Sequence, residues 1–198
     1  MTNLQAKKAL ITGAASGIGR ESAIRMATDG ANVMCADLDM AGATNTANII
    51  IQQGGKAQAM ELDVSSSSAV KSAIQDTADA LKGINVIFNN AGVGGGDFGW
   101  DQTIAINLSG VYYGLLHGAS FLADNGGGSI INTASVAGLV GLTGAFLDDP
   151  EVNLPEGVGA YVASKHGVSG LTKQFAITFG ARGVRVNAIA PGYIETPM

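Results

Sequence analysis

Short apolar runs alternate with longer segments of helical character along the sequence, and this alternation constrains the fold more than any other feature. The apolar runs predict strands, at 9–11, 31–36, 57–62, 84–88, 129–132 and 184–189. The segments between them are long enough for helices, at 17–29, 40–53, 66–81, 101–123 and 160–180. Strands that alternate with helices form βαβ units with right-handed crossovers and a parallel sheet. We therefore predict an α/β fold with a doubly wound sheet between two layers of helices.

Length and composition limit the class of protein. The 198 residues are about one domain's worth, and no break in composition divides them, so we expect residues 1–198 to form one domain. Hydrophobic residues make up 46% of the chain and charged residues 14%, which is enough apolar surface to bury a core and excludes a disordered protein.

Charge and cysteine usage indicate the partners and the compartment. The formal net charge is −5 and basic residues form no cluster larger than two, so nucleic acid and anionic membranes are poor partners. No apolar run approaches the ~18 residues that a membrane span needs, and the first residues do not form a signal peptide. The one cysteine, Cys35, has no partner for an internal disulfide. We therefore expect a cytoplasmic protein.

A glycine-rich turn, residues 12–19, separates the first predicted strand from the first predicted helix. Its sequence is Thr-Gly-Ala-Ala-Ser-Gly-Ile-Gly, with the spacing G-x-x-x-G-x-G rather than the commoner G-x-G-x-x-G. Free N–H groups at such a helix start bind phosphates, and a Cβ would block the pyrophosphate or the close packing of helix on strand. The position favours a Rossmann-like dinucleotide site over a flexible turn, with candidate residues Gly13, Ser16, Gly17, Ile18 and Gly19.

Asp37 indicates which dinucleotide binds. It ends the second predicted strand, 18 residues after Gly19, close to the ~20 expected for the acid that accepts hydrogen bonds from the adenosine ribose. A carboxylate there repels a 2′-phosphate, and positions 16 and 38 carry serine and leucine rather than a basic residue. The sequence therefore predicts NAD. A second interpretation is that Asp37 caps the helix that begins near residue 40.

Tyr161 and Lys165 form the main catalytic candidate. Four positions apart in a predicted helix, they project from one face. Oxidation of an alcohol needs a base for the hydroxyl proton, and tyrosine, which titrates near pH ~10 in water, is a poor base unless a cation favours the phenolate. The alternative is a core stripe that continues through Val168, Thr172, Phe175 and Phe179. A buried Tyr–Lys pair without a function is costly, so we favour the catalytic interpretation.

Three further motifs are present: Asn-Asn-Ala-Gly at Asn89–Gly92, Ser135, and the pair Pro191-Gly192. Together with the glycine turn, Asp37 and the Tyr–Lys pair, they stand in the order that is typical of the short-chain dehydrogenase/reductase family, which residues 7–198 resemble. The resemblance implies a nicotinamide-dependent enzyme that transfers hydride between its cofactor and a secondary alcohol or ketone. It implies four catalytic residues: Asn107, Ser135, Tyr161 and Lys165. Serine would bond the substrate oxygen, lysine would also hold the nicotinamide ribose, and Asn107 would hold a water in the proton relay. Asn107 could instead be an ordinary polar residue within a helix.

The resemblance also implies the remaining cofactor contacts. They comprise Asp63 and Val64 at the adenine, and then Asn90, Ala91, Gly92, Pro191, Gly192, Ile194 and Thr196. Asp63 could alternatively cap the following helix. The two histidines, His117 and His166, have no partner at metal-ligand spacing, so we predict no metal site.

Gly110, Gly114 and Gly118 recur every four residues and predict a helix that packs closely against a partner. The resemblance implies a homodimer or homotetramer, which family members commonly form through this helix and the one that bears Tyr161.

The sequence departs from the family pattern in places that affect the substrate pocket. Relatives continue through a substrate-covering segment and a final strand, so the C-terminal part of the family fold is expected to be missing from these 198 residues. The 26 positions between Ser135 and Tyr161 exceed the usual spacing. They include an acidic stretch, 143–159, whose two prolines and four acidic residues predict an exposed loop. We hypothesise that this loop covers the pocket and disfavours acidic substrates.

A second functional class stays open at this stage. The chain could be a truncated, catalytically weak NAD-binding protein that acts through assembly. The complete set of catalytic residues favours the enzyme, because a protein that only binds NAD does not need a Tyr–Lys pair.

Overall fold

A computed structural model of the chain describes residues 4–96, 98–142 and 156–196. The strands are β1 (Lys8–Thr12), β2 (Asn32–Asp37), β3 (Lys56–Glu61), β4 (Val86–Asn89), β5 (Gly128–Thr133) and β6 (Val184–Ile189). The α-helices are α1 (Gly17–Thr28), α2 (Met40–Gln52), α3 (Ser67–Leu81), α4 (Gly99–Ile104), α5 (Gly110–Asp124) and α6 (Glu156–Phe179). A π-helical turn, Ala105–Ser109, joins α4 to α5, and short 3₁₀ turns occur at Val136–Gly138 and Gly180–Arg182. The predicted alternation of strands and helices is confirmed.

The six strands form one parallel sheet in the order β3-β2-β1-β4-β5-β6. The chain builds outwards from β1 to β3 and then crosses back to place β4 on the other side of β1. Ile11 of β1 is therefore aligned with Cys35 of β2 and with Phe88 of β4. Ligands of open α/β sheets bind beyond the carboxyl ends of the strands at such a switch point.

Two hydrophobic cores cover the two faces of the sheet, because successive side chains of a strand point to opposite faces. Leu10 packs in the core with α3, α5 and α6, whereas its neighbours Ala9 and Ile11 pack in the core with α1 and α2. The doubly wound architecture is thus confirmed, with helices on both faces.

The glycine face of α5 packs on the chain's own sheet. A methyl group at Gly114 would lie 2.6 Å from the side-chain carbon Cγ of Asn89, and one at Gly118 would lie 2.6 Å from Cδ1 of Ile87. Both contacts are with β4. Gly114 and Gly118 therefore allow the helix to approach β4, whereas a methyl group at Gly110 would meet Val64, at 2.9 Å from its Cγ2.

Two helix caps decide between the interpretations of Asp37 and Asp63. The α2 helix is capped by Asp39, whose carboxylate accepts a hydrogen bond from the Gly42 amide at 3.0 Å. The α3 helix is capped by Ser66, which accepts from the Ala69 amide at 3.3 Å. Neither Asp37 nor Asp63 is the cap, so both capping interpretations are wrong.

The acidic stretch is described only at its C-terminal end. Residues 143–155, and with them the hypothesis of a cover over the pocket, lie outside the described residues. The last four residues, 156–159, belong to α6, so the prediction of a loop is wrong for them. The helix begins earlier than predicted where the backbone of Gly157 packs against that of Gly95, a tertiary contact that local composition does not indicate.

Within the described residues, the helices are too short or too polar to cross a bilayer. In the same ranges, His, Cys, Asp and Glu side chains form no group of three that is arranged to bind a metal ion.

Candidate active site

A cleft of about 550 Å³ opens along the carboxyl ends of the strands. Its walls contain the ends of β1, β2, β4 and β5, the start of α6 and the segment after β6. Most residues predicted for the site line it: Gly13, Ser16, Gly17, Ile18, Asp37, Asp63, Val64, Asn90, Ala91, Gly92, Ser135, Tyr161, Lys165, Pro191, Gly192, Ile194 and Thr196. Gly19 and Asn107 do not line the cleft, and both lie directly behind its wall.

The glycine turn requires glycine for two different reasons. Gly13 and Gly17 have φ values of +68° and +51°, in the left-handed region that side chains disfavour. Gly19 is required for space, since a methyl group there would lie 2.6 Å from Nδ2 of Asn90 and closer still to the carbonyl oxygen of Gly13. Ser16 stands at the N-cap of α1, and its hydroxyl makes no capping hydrogen bond. The turn therefore presents the amides of the α1 N-terminus and one hydroxyl to the cleft, as an anion site requires.

Asp37 is held against this turn. One carboxylate oxygen accepts a hydrogen bond from the Ala15 amide at 2.8 Å, and the other accepts from the Asp39 amide at 3.0 Å. The neighbouring Leu38 is 66% exposed at the edge of the cleft. The two bonds fix the carboxylate at the end of β2, and Lys165 on α6 is the one basic side chain among the described residues that line the cleft.

Thr12 and Asn90 join the ends of three strands below the cleft. The Thr12 hydroxyl accepts hydrogen bonds from the Asn90 and Ala91 amides, both at 3.0 Å. Asn90 donates to the Thr12 carbonyl at 3.2 Å and accepts from the Thr133 hydroxyl at 3.0 Å. These bonds make the cleft floor rigid, which favours a preformed ligand site. Thr12 was not predicted, because a threonine before a glycine turn carries no signal of its own.

Lys165 is a buried cation at the wall of the cleft. It is 4% exposed, and its ammonium donates a hydrogen bond to the Thr133 carbonyl at 2.8 Å. Its Nζ lies 5.6 Å from the centroid of the half-buried Tyr161 ring. Burial lowers the pKa of Lys165 from 10.5 to about 8, so the side chain carries its charge at neutral pH. The pair can therefore place a positive charge beside a phenol that faces the cleft.

Ser135 lies in the turn that follows β5, just before the 3₁₀ turn Val136–Gly138. Its hydroxyl oxygen accepts a hydrogen bond from the Ala137 amide at 3.1 Å, and the residue is 7% exposed. The adjacent amides bond to the segment after β6, with Val136 donating to the Pro191 carbonyl at 2.9 Å. The serine hydroxyl thus accepts from the turn and is free to donate into the cleft.

Asn107 is fully buried within the π-helical turn. Its side-chain oxygen accepts from the Val93 amide, and its side-chain nitrogen donates to the Val93 carbonyl, each at 2.8 Å. A methyl group at Gly92 would lie 3.0 Å from that oxygen and 3.7 Å from the Lys165 ammonium. Asn107 therefore positions the backbone after β4 close to Lys165, and it is not an ordinary polar residue of a helix surface.

With this geometry established, comparison with known proteins decides the family. The family model described as short chain dehydrogenase matches residues 7–198. The chain belongs to the short-chain dehydrogenase family. The resemblance predicted from the motifs is confirmed, and the oxidoreductase chemistry on CH–OH groups that it implied is supported by the relatives.

Two known enzymes illustrate the similarity. Cyclohexanol dehydrogenase of Acinetobacter sp. (strain SE19) is 36% identical over 200 residues, which cover 97% of this chain and 74% of that protein. Levodione reductase of Leifsonia aquatica is 34% identical over 199 residues, which cover 96% of this chain and 70% of that protein.

Solved structures of short-chain dehydrogenases have the same fold. A crystal structure of levodione reductase superposes with a TM-score of 0.87 at 33% identity, over 98% of this chain and 74% of that one. A structure of 7α-hydroxysteroid dehydrogenase with NADH and 7-oxo glycochenodeoxycholic acid superposes with a TM-score of 0.85 at 31% identity, with the same coverage.

The cleft of this short-chain dehydrogenase also contains residues that the motifs did not indicate. They are Leu38, Leu62, Val93, Phe98, Gln102, Ile106, Thr133, Ala134 and Tyr193. Most are apolar and follow a strand or lie on α4, so hydrophobic periodicity assigns them to the core as readily as to a pocket. Thr133 contributes through its backbone carbonyl, which no side-chain pattern can reveal.

Proposed function

We propose that residues 1–198 act as one NAD-binding domain that transfers hydride between the nicotinamide cofactor and a secondary alcohol or ketone. The observation that carries the proposal is the buried Lys165 ammonium, 5.6 Å from the Tyr161 ring centroid, in the same cleft as the Ser135 hydroxyl. A general base, a cation that supports it and a hydrogen-bond donor are the groups that alcohol oxidation needs.

The cleft fits a dinucleotide. Its wall runs from Asp37 on β2, past the glycine turn, to Tyr161 on α6, so it offers an anion site between a carboxylate and the proposed catalytic groups. Asp37 suits a ribose with a free 2′-hydroxyl, which favours NAD over NADP. Further contacts would come from Asp63 and Val64 towards the adenine and from Ile194 and Thr196 towards the nicotinamide. When bound, the cofactor supplies the carbon that accepts or gives up the hydride.

The residues of the chain handle the proton. Tyr161 removes the proton from the alcohol oxygen, and Lys165 stabilises the phenolate form by its charge. Ser135 donates a hydrogen bond to the same oxygen and so orients the carbinol carbon. Asn107 supports this arrangement by bonding to Val93 and so holding the neighbouring Gly92 near the Lys165 ammonium, and we propose it for the relay that returns the proton to solvent.

The substrate we propose is a neutral ring alcohol or ketone. The cleft that contains Tyr161 is also lined by Val93, Phe98 and Ile106, with Gln102 as a polar side chain. Cyclohexanol and levodione appear in the names of the relatives above. A carboxylate substrate is disfavoured because Lys165 is the one cation among the described residues that line the cleft, and it is already bonded to Thr133.

Turnover of a substrate panel tests the proposal. We expect NADH formation with cyclohexanol and its ring homologues, and at least tenfold lower kcat/KM with hydroxy acids of the same size. Binding of NAD without turnover of any secondary alcohol would instead support the second class, a binding protein that acts through assembly.

We also propose self-association, as a homodimer or homotetramer, through the outer face of α5 and α6. Tyr112 and Leu116 are 38% and 39% exposed there, and Ile177 is 79% exposed. Large apolar side chains on one face favour an interface, and the family resemblance implies a second copy as the occupant. We expect light scattering to give a dimer or larger for the parent and a monomer for Leu116→Glu. A Leu116→Glu variant with the same mass in solution as the parent contradicts the proposed interface. Ile51→Glu on α2, outside that interface, is the control and should keep the mass of the parent.

For its location we propose the cytoplasm. Cys35 is buried in β2, and burial raises the pKa of its thiol to about 12, so it is an inert thiol that suits a reducing compartment.

A further inference from the structure

The segment that carries Ser135 is attached to α6 by contacts that sequence spacing does not provide. Ser135 and Tyr161 are 26 positions apart, so the length of chain between them does not set their separation. Two contacts with Lys165 hold the segment instead. The Lys165 ammonium bonds to the Thr133 carbonyl before the serine, and the Lys165 backbone packs against Gly138 after it.

The contact at Gly138 leaves no space for a side chain. A methyl group there would lie 2.7 Å from the carbonyl carbon of Lys165, closer still to its oxygen, and 3.1 Å from its Cβ. Those backbone atoms belong to a long helix and cannot rotate away. Gly138 does not have a positive φ, so alanine suits its backbone conformation and only the lack of space excludes it.

Ser169 reinforces the contact from the next turn of α6. Its hydroxyl lies 3.3 Å from the Gly138 carbonyl oxygen and 3.1 Å from that of Lys165, so its one hydrogen is shared between the two carbonyls. Gly138 in turn donates its amide to the Ser135 carbonyl at 2.8 Å. A continuous set of bonds therefore connects α6 at Lys165 with the backbone of Ser135.

We propose that Gly138 is a positioning residue for the hydride-transfer reaction, and that its contact with Lys165 sets the distance from the Ser135 hydroxyl to Tyr161. The expected effect on catalysis rests on the proposed function, whereas the contact between Gly138 and Lys165 is observed in the structure. A methyl group at position 138 moves the serine turn away from α6, while the glycine turn and Asp37, on the far side of the cleft, keep their positions.

The test compares Gly138→Ala with Gly141→Ala. Gly141 lies three residues further along the same segment, and a methyl group there meets nothing within 4 Å. For Gly138→Ala we expect kcat for alcohol oxidation to fall about 100-fold, the cost of a displacement near 1 Å at a reacting group. The dissociation constant for NADH is expected to stay within twofold of the parent, and all constants of Gly141→Ala within twofold.

A second readout does not depend on activity. The Ala137 amide donates to the Ser135 hydroxyl oxygen, so its hydrogen exchange in the isotopically labelled protein reports the geometry of the serine turn. We expect this exchange to be at least tenfold faster in Gly138→Ala and unchanged in Gly141→Ala.

A milder variant covers the possibility that Gly138→Ala fails to fold. Ser169→Ala removes the hydroxyl that bonds to Gly138 without adding an atom, and we expect kcat to fall about three- to tenfold, as for the loss of one hydrogen bond. In whichever variant folds, Ala137 exchange within twofold of the parent, or kcat within twofold, overturns the proposal. If the parent turns over no alcohol, the proposed function fails, and the exchange measurement alone decides the contact.

Discussion

Replacing Tyr161 by phenylalanine is expected to lower kcat for alcohol oxidation by about 100- to 10,000-fold, the range that general acid–base catalysis contributes. The ring keeps its place near the Lys165 ammonium, while the oxygen that accepts the alcohol proton is lost. The dissociation constant for NADH should stay within about threefold, because the variant removes one hydroxyl from a long binding cleft.

Stopped-flow measurement of NADH formation with cyclohexanol checks this expectation, with calorimetric titration for the cofactor. Tyr112→Phe is the matched control, since this tyrosine lies on the exposed face of α5, outside the lining of the cleft. Turnover by Tyr161→Phe within tenfold of the parent would refute the assignment of the base.

The second large effect concerns the choice of cofactor. We expect NADH to bind at least tenfold more tightly than NADPH, because the 2′-phosphate would approach the Asp37 carboxylate. Two unit charges 4 Å apart repel by about 1 kcal/mol in water and about 4 kcal/mol near a protein surface. Since about 1.4 kcal/mol corresponds to tenfold in the dissociation constant, a tenfold preference is a modest expectation.

Asp37→Ala should narrow the preference for NADH over NADPH, mainly because the variant binds NADPH more tightly than the parent does. Asp39→Ser is the control, because it removes a carboxylate two positions away while serine keeps the capping interaction of α2. Calorimetric titration of both cofactors into the parent and the two variants gives the three NADH-to-NADPH affinity ratios needed. Comparable affinities of the parent for NADH and NADPH would contradict the assignment of Asp37.

Much of the site could be predicted because its chemistry is encoded locally. The glycine turn is recognisable since a backbone with positive φ and a close helix contact both require glycine, and the sequence shows these glycines between a strand and a helix. Tyr161 and Lys165 are recognisable because four residues of helix bring them to one face. Asp37 is recognisable because it ends the second predicted strand, 18 residues after Gly19.

The parts that could not be predicted depend on contacts between distant segments. Asn107 was indicated by the family resemblance alone, and its two bonds to Val93 and the π-helical turn around it are seen only in the folded chain. The early start of α6, where the backbone of Gly157 contacts that of Gly95, is likewise not indicated by local composition. Side-chain patterns do not record contacts made by backbone atoms.

The order of strands and helices, the doubly wound architecture and the family could all be inferred from the amino-acid sequence, because hydrophobic periodicity and short motifs depend on neighbouring residues. The packing of the folded chain was needed to show that Asp39 rather than Asp37 caps α2, and that Gly114 and Gly118 of α5 face β4. It also placed Ser135 in the same cleft as Tyr161, across 26 positions of sequence. A distance across such a span is set by the packing of the segments, since many chain paths of that length satisfy the same local preferences.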